Sequence, residues 1–132
     1  MGIDKIKKLE QAVVKFLNFD GWNLEWTGDG FKHYDACGFT RKGVACVIEM
    51  KFRNKYYEEK MLEKSKYNAL MKINKEVVKL YFVNDPKGNF LYWLNTIKLP
   101  EPKICIALIQ HYGLKEGCSN LFICLKKIKP LK

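Results

Sequence analysis

Two strand-like runs, residues 31–40 and 44–52, flank the three-residue loop Arg41-Lys42-Gly43, and the odd length of that loop dictates which side chains can meet. A three-residue hairpin loop commonly closes on a glycine in the left-handed region, and Gly43 stands at that place. Thr40 then pairs with Val44, Phe39 with Ala45, and so on outward until Asp35 faces Glu49. Directly opposed residues hold their Cβ atoms about 4.5–5.5 Å apart, which makes the two carboxylates neighbours. Side chains alternate along a strand, so Val47, Glu49 and Lys51 share one face while Cys46, Ile48 and Met50 share the other. Asp35, Glu49 and Lys51 therefore converge. A two-residue loop at Lys42-Gly43 would set Asp35 against Met50 and dismantle the cluster, because a one-residue slip exchanges the faces of a strand.

Two facing carboxylates repel and call for a compensating positive charge. A hard divalent cation supplies it: carboxylate oxygens and water suit Mg²⁺, with Mn²⁺ as a substitute, and Mg²⁺ takes one or two carboxylates together with phosphate oxygens. Lys51 would then orient or help deprotonate a metal-bound water, or offset charge developing on a phosphate. An acidic-x-Lys triplet alone reads more simply as an exposed, salt-bridged strand face. The aligned Asp35 favours a site.

With Glu10 in a first helix, Asp35 on the second strand, Glu49-Met50-Lys51 on the third and Lys64 to Leu70 in a following helix, the chain resembles the PD-(D/E)XK nuclease superfamily. The likeness is to small phage-type nucleases and archaeal Holliday-junction resolvases. It extends over roughly the first two-thirds of the sequence. The resemblance implies that Asp35, Glu49 and the Met50 carbonyl hold metal and that Glu10 contacts it through water. It also implies that Lys51 serves the attacking water and that the products carry a 5′-phosphate and a 3′-hydroxyl. Tyr34 stands where a proline often precedes the family's aspartate, a departure that removes no chemical group.

At 132 residues the chain has the length of one domain with one core. Its hydrophobic share of 48% and aromatic share of 14% argue against disorder. No apolar run approaches the roughly 20 residues needed to span a bilayer, and the N-terminus has no signal-peptide core, so a cytoplasmic protein without a membrane partner is expected. Cysteines at 37, 46, 105, 118 and 124 form no Cys-x-x-Cys pair, which argues for reduced thiols and against zinc.

The formal charge is +10, unevenly spread. Residues 1–48 carry 7 basic and 6 acidic groups, residues 49–80 carry 9 and 5, and residues 81–132 carry 8 and 3. The surplus begins at the Glu49-Met50-Lys51 strand and runs onward, which favours a polyanion bound with strong salt dependence.

Periodicity predicts a helix from an Asp4 cap to about Asn18, with Ile6, Leu9, Val13, Phe16 and Leu17 as its apolar stripe and Glu10 at the stripe's edge. Strands are predicted at Trp22–Thr27, Phe31–Thr40 and Val44–Phe52, with Asp29 in a turn and His33 as a surface or sheet residue. A basic and aromatic connection, Arg53, Lys55, Tyr56 and Tyr57, leads into a second helix at about Glu58–Asn74. Arg53 and Lys55 suit phosphate, while Tyr56 and Tyr57 anchor the helix or stack on bases. Leu62, Ala69, Leu70 and Ile73 form the buried stripe of this helix, and Lys66 falls inside it, where it needs either a snorkelling path or a negative partner such as a phosphate or the site carboxylates. Tyr67 is a candidate nucleic-acid contact that could equally pack.

Val77–Val83 and Asn89–Asn95 read as a hairpin around Asp85-Pro86-Lys87-Gly88. Beyond Pro100 and Pro102, Ile104–Ile109 and Leu121–Ile128 read as an appended part of the same sheet, with a basic end at Lys126, Lys127 and Lys129, although Ile104–Tyr112 reads equally as a short helix.

The expectation is an α/β (α+β) fold: one domain over 1–132, with a core at about 4–99 and an extension at about 103–132. Its order is α-β-β-β-α-β-β with extra C-terminal strands, a restriction-endonuclease-like core in which helices flank a mixed sheet. The expected activity is Mg²⁺-dependent endonucleolytic cleavage of DNA. Glu10, Asp35, Glu49 and Lys51 are the catalytic candidates, and Arg53, Lys55, Lys66 and Tyr67 the DNA-binding ones. A homodimer would favour a symmetric four-way junction. The competing readings are a catalytically inactive nucleic-acid-binding protein on the same scaffold, and metal-free RNA cleavage using His33 and His111.

Overall fold

Gly43 closes the 41–43 turn with φ +80°: its N–H donates to the Thr40 carbonyl at 2.9 Å, and the Thr40 N–H donates to the Val44 carbonyl at 2.8 Å. The computed structural model describes residues 2–30, 32–58, 60–95 and 122–125. In it the turn joins β2 (Ala36–Phe39) to β3 (Ala45–Phe52), with Ala36 opposite Ile48 and Phe39 opposite Ala45. This is the odd-loop register. Asp35 stands one residue before β2, where regular pairing with β3 has ended at Ala36 opposite Ile48, so Asp35 does not pair with Glu49 as the loop alone predicts. The Asp35 N–H donates to the Ile48 carbonyl at 2.9 Å, and its carbonyl accepts the Thr27 N–H at 2.8 Å. β2 is shorter than the 31–40 run suggests; just before Asp35, the Tyr34 carbonyl is taken by the Thr27 hydroxyl at 2.9 Å.

The remaining elements are α1 (Ile3–Phe19), β1 (Asn23–Trp26), β4 (Lys60–Glu63), α2 (Lys64–Met71), β5 (Val78–Asp85), β6 (Gly88–Trp93) and β7 (Phe122–Leu125). Five strands form one mixed sheet in the order β1-β2-β3-β5-β6. β1, β2 and β3 are an antiparallel meander, β5 runs parallel to β3, and β6 returns antiparallel to β5. A parallel pairing needs a crossover. Here β4 and α2 lie within it.

The alternation of β3 divides the core. Cys46, Ile48, Met50 and Phe52 pack with Val14 and Leu17 of α1, while Val47 packs on the opposite face with Tyr81, Val83 and Leu70 of α2. Glu49 belongs to this second face, and β3 is covered on both sides. That is why a strand carboxylate can be only 5% exposed.

Several local expectations give way to tertiary packing. α1 begins after Gly2, which makes no side-chain cap bond, so Asp4 sits inside the first turn rather than at the cap. Phe16 is 64% exposed, and Val14 takes its place in the stripe beside Leu17. The predicted helix start at Glu58 is displaced, because residues 60–63 form β4, which alternates buried and half-buried and pairs antiparallel with β7. Leu62 is therefore buried from a strand. β4 and β7 make a separate two-stranded sheet, so the predicted strand at 121–128 does not extend the main one. The predictions for Ile104–Ile109, His111, Lys126, Lys127 and Lys129 lie outside the described residues, as do Cys105, Cys118 and the Cys124 side chain. No described helix is long and apolar enough to cross a membrane.

Gly38 is the tightest backbone contact in the meander. Its φ is +151°, and a Cβ there would lie 2.0 Å from the Asn23 carbonyl oxygen of β1. Gly38→Ala is expected to destabilise the fold by about 3 kcal/mol or more, since both dihedral strain and a backbone clash must be relieved by parting β1 from β2. Denaturant melts of the two proteins measure this.

Candidate active site

Asp35 and Glu49 line the same cleft, of about 400 Å³, with Tyr34 beside the first and Ser65 and Lys66 of α2 across from them. One Asp35 oxygen accepts the Met50 N–H at 2.8 Å, which ties the carboxylate to β3. Glu49 accepts from Lys66 Nζ at 3.0 Å, so the lysine inside the α2 stripe finds its negative partner in a site carboxylate. Glu10, 7% exposed on α1, accepts the Trp26 indole N–H at 3.0 Å.

Electrostatics bind these groups together. Burial raises the Asp35 carboxyl above its usual range, against the opposing effects of the Met50 N–H, Lys66 and Lys51. Burial, then the charge of Asp35, pushes Glu49 up to about 7 despite Lys66 and Lys51. Burial also raises Glu10, the Trp26 bond works against it, and the Asp35 charge adds to it. Lys51 is lowered by burial and by the neighbouring Lys66 and Arg53. For Lys66, burial works downward, but the charge and hydrogen bond of Glu49 outweigh it and hold the ammonium up. Desolvated carboxylates thus crowd one end of the cleft with two lysines close by.

Such a donor set fits a hard divalent cation. Among the described residues no three His, Cys, Asp or Glu side chains converge on one point. The oxygen donors at hand are Asp35 and Glu49, and one or two carboxylates completed by water and phosphate is what Mg²⁺ ordinarily takes. A cation there would relieve the repulsion that raises Glu49.

The DNA-binding candidates separate. Lys66 lies in the cleft, and Lys55 is exposed. Arg53 is only 7% exposed and donates from Nη2 to the Met61 carbonyl at 2.9 Å, which the Tyr81 hydroxyl also contacts at 2.7 Å. It ties the end of β3 to β4, because the unforeseen β4 strand brings that carbonyl to it. Tyr67 packs against the α2-side core. Sequence reading missed Trp26 as the partner of Glu10; nothing in its spacing announces the direction of an indole N–H.

Ionisation of Glu49 makes the metal-free protein sensitive to pH. Its folded-state pKa is raised, so between about 4.5 and 7 the folded chain holds a proton that the unfolded chain has lost. Stability from this group is greatest below that window and falls as pH rises through it, by about 3 kcal/mol in all. Urea melts in chelator should show that decline, Glu49→Gln should remove this part of it, and added Mg²⁺ should counter it in the wild type.

In overall fold the chain is similar to the Holliday junction resolvase Hjc of the archaeal hyperthermophile Archaeoglobus fulgidus. The TM-score is 0.57 over 71% of this chain and 76% of that one, with 14% sequence identity. No protein-family model matches the sequence, and no curated protein matches it.

Proposed function

We propose that this chain is a metal-dependent endonuclease that hydrolyses phosphodiester bonds in DNA, with branched DNA such as a Holliday junction as its substrate. The observation that carries the reading is the meeting of Asp35 and Glu49 in one cleft, coupled in charge, with Lys51 and Lys66 beside them. The resolvase-like fold and the +10 charge support it.

Asp35 and the Glu49 side chain would hold Mg²⁺ or Mn²⁺, with the Met50 carbonyl as a further donor and Glu10 acting through water. Bound there, the ion would lower the pKa of a coordinated water and polarise the phosphoryl oxygens. The Met50 N–H fixes the Asp35 carboxylate on the strand. Lys51, its ammonium pKa lowered, is suited to exchange a proton with the attacking water. Lys66 balances Glu49 in the free protein, and with a cation bound to the carboxylates it would be free to meet the phosphate. The working unit is the whole chain as one domain, acting in the cytoplasm, and a homodimer would present two cleavage sites to a symmetric junction.

The test is incubation with labelled four-way, flapped, single-stranded and plain duplex DNA, with Mg²⁺ or with chelator. Cleavage that needs the ion and prefers branched DNA is expected. Cleavage surviving chelation would overturn the mechanism, and equal cutting of all forms the substrate assignment.

A further inference from the structure

The cleft does not end at the carboxylates. A second cavity of about 570 Å³ adjoins it, and the two share His33, Ser65 and Ala69. One wall is the segment before β2, bearing Lys32 and His33; the other is α2 and its C-terminal end. Ser65, Asn68, Ala69 and Lys72 recur at three- and four-residue intervals and so stack along one side of the helix. Their span is about 10 Å at 1.5 Å rise per residue, long enough to follow a short stretch of nucleic-acid backbone.

From these features we infer that the groove between His33 and α2 holds a short unpaired stretch of the DNA strand being cut, leading away from Asp35 and Glu49. This rests on the nuclease reading. Among the described residues no acidic side chain lines the second cavity, whereas Lys72 lies at its far end and Lys32 borders the first. Cations along a groove position a backbone. Ser65 and Asn68 add neutral donors for phosphate or sugar. Ala69 leaves the floor low between them, and Ile73 gives the second cavity an apolar surface. An exposed imidazole at the junction of the two cavities offers a plane for stacking. An apolar recess beside a stacking ring accepts a base only after that base has left its own stack. The bases of an intact duplex are already paired and stacked; a flap, gap or junction arm supplies free ones.

Binding of fluorescein-labelled DNA, read by anisotropy in chelator so that no strand is cut, tests this with two ligands. One is a blunt duplex and the other the same duplex with a three-nucleotide single-stranded extension. His33→Ala and Lys72→Ala should each weaken the extended ligand by roughly tenfold and the blunt duplex far less. Lys72→Ala should also reduce the salt slope for the extended ligand by about one. Lys42→Ala, at the exposed β2–β3 turn, should alter neither ligand selectively. Circular dichroism of each variant reports retained folding. Equal losses on both ligands, or losses no larger than those of Lys42→Ala, would overturn the groove assignment while leaving the nuclease reading intact. A wild-type protein that cuts no DNA with Mg²⁺ or Mn²⁺ and binds neither ligand would overturn both.

Discussion

Lys51→Ala should lower Mg²⁺-dependent DNA cleavage by about 10²- to 10⁴-fold while DNA and metal binding change little. That is the range over which a positioned proton-transfer group contributes. Lys51 sits on β3 two residues beyond Glu49, on the same face, and burial and the charges of Lys66 and Arg53 lower its ammonium pKa. It makes no hydrogen bond on which the fold would depend among those identified for the carboxylates, which go to Lys66, Met50 and Trp26. Its loss should therefore appear in turnover more than in stability. Lys51→Arg should rescue poorly, because a guanidinium stays protonated and cannot exchange a proton with water near neutral pH. Single-turnover cleavage rates with saturating enzyme, alongside anisotropy binding, separate these effects. Wild-type rates in Lys51→Ala would assign the lysine to the strand surface rather than to the chemistry.

The largest stability effect is expected outside the lining of the carboxylate cleft. Lys60 and Asp85 are 1% and 0% exposed, and their ion pair measures 2.7 Å. The ammonium also lies 4.1 Å from the ring centres of Tyr56 and Phe90, and the other Asp85 oxygen accepts the Lys87 N–H at 2.8 Å. Breaking such a pair from one side strands a buried charge, so Asp85→Ala should destabilise the protein by about 3–5 kcal/mol. Lys60→Met should cost a comparable amount by leaving Asp85 with one partner fewer. Combining Lys60→Met with Asp85→Asn, which keeps an acceptor for Lys87, should be much less harmful than the two single losses taken together. Chemical denaturation of the single and double variants measures the coupling. Because β4 leads directly into α2, loosening Lys60 should also reduce cleavage through Lys66.

The meander was legible because one local feature decided it. An odd loop closing on glycine sets the pairing from Phe39 and Ala45 out to Ala36 and Ile48, and that register delivers Asp35 to the end of β2 beside Glu49. Glu10 was similarly readable at the edge of an amphipathic stripe. β4 was not. Lys60-Met61-Leu62-Glu63 is short enough to suit the start of a helix as well as a strand, and its partner, β7, lies about sixty residues away. A buried lysine is rarely foreseen, since its compensation comes from Asp85 on another element. The same hidden strand turned Arg53 inward, because it placed the Met61 carbonyl where the guanidinium could reach it. Phe16 failed for a different reason: periodicity gives the apolar side of a helix but not which flank the sheet will cover.

The site's chemical assignment rests on two carboxylates holding one cation together. Electron paramagnetic resonance of Mn²⁺ titrated into the protein tests it most directly, because binding depletes the free-ion signal. Wild-type protein should deplete that signal, and Asp35→Asn and Glu49→Gln should each lose most of the depletion. Depletion equal to wild type in both variants would contradict a cation held by Asp35 and Glu49.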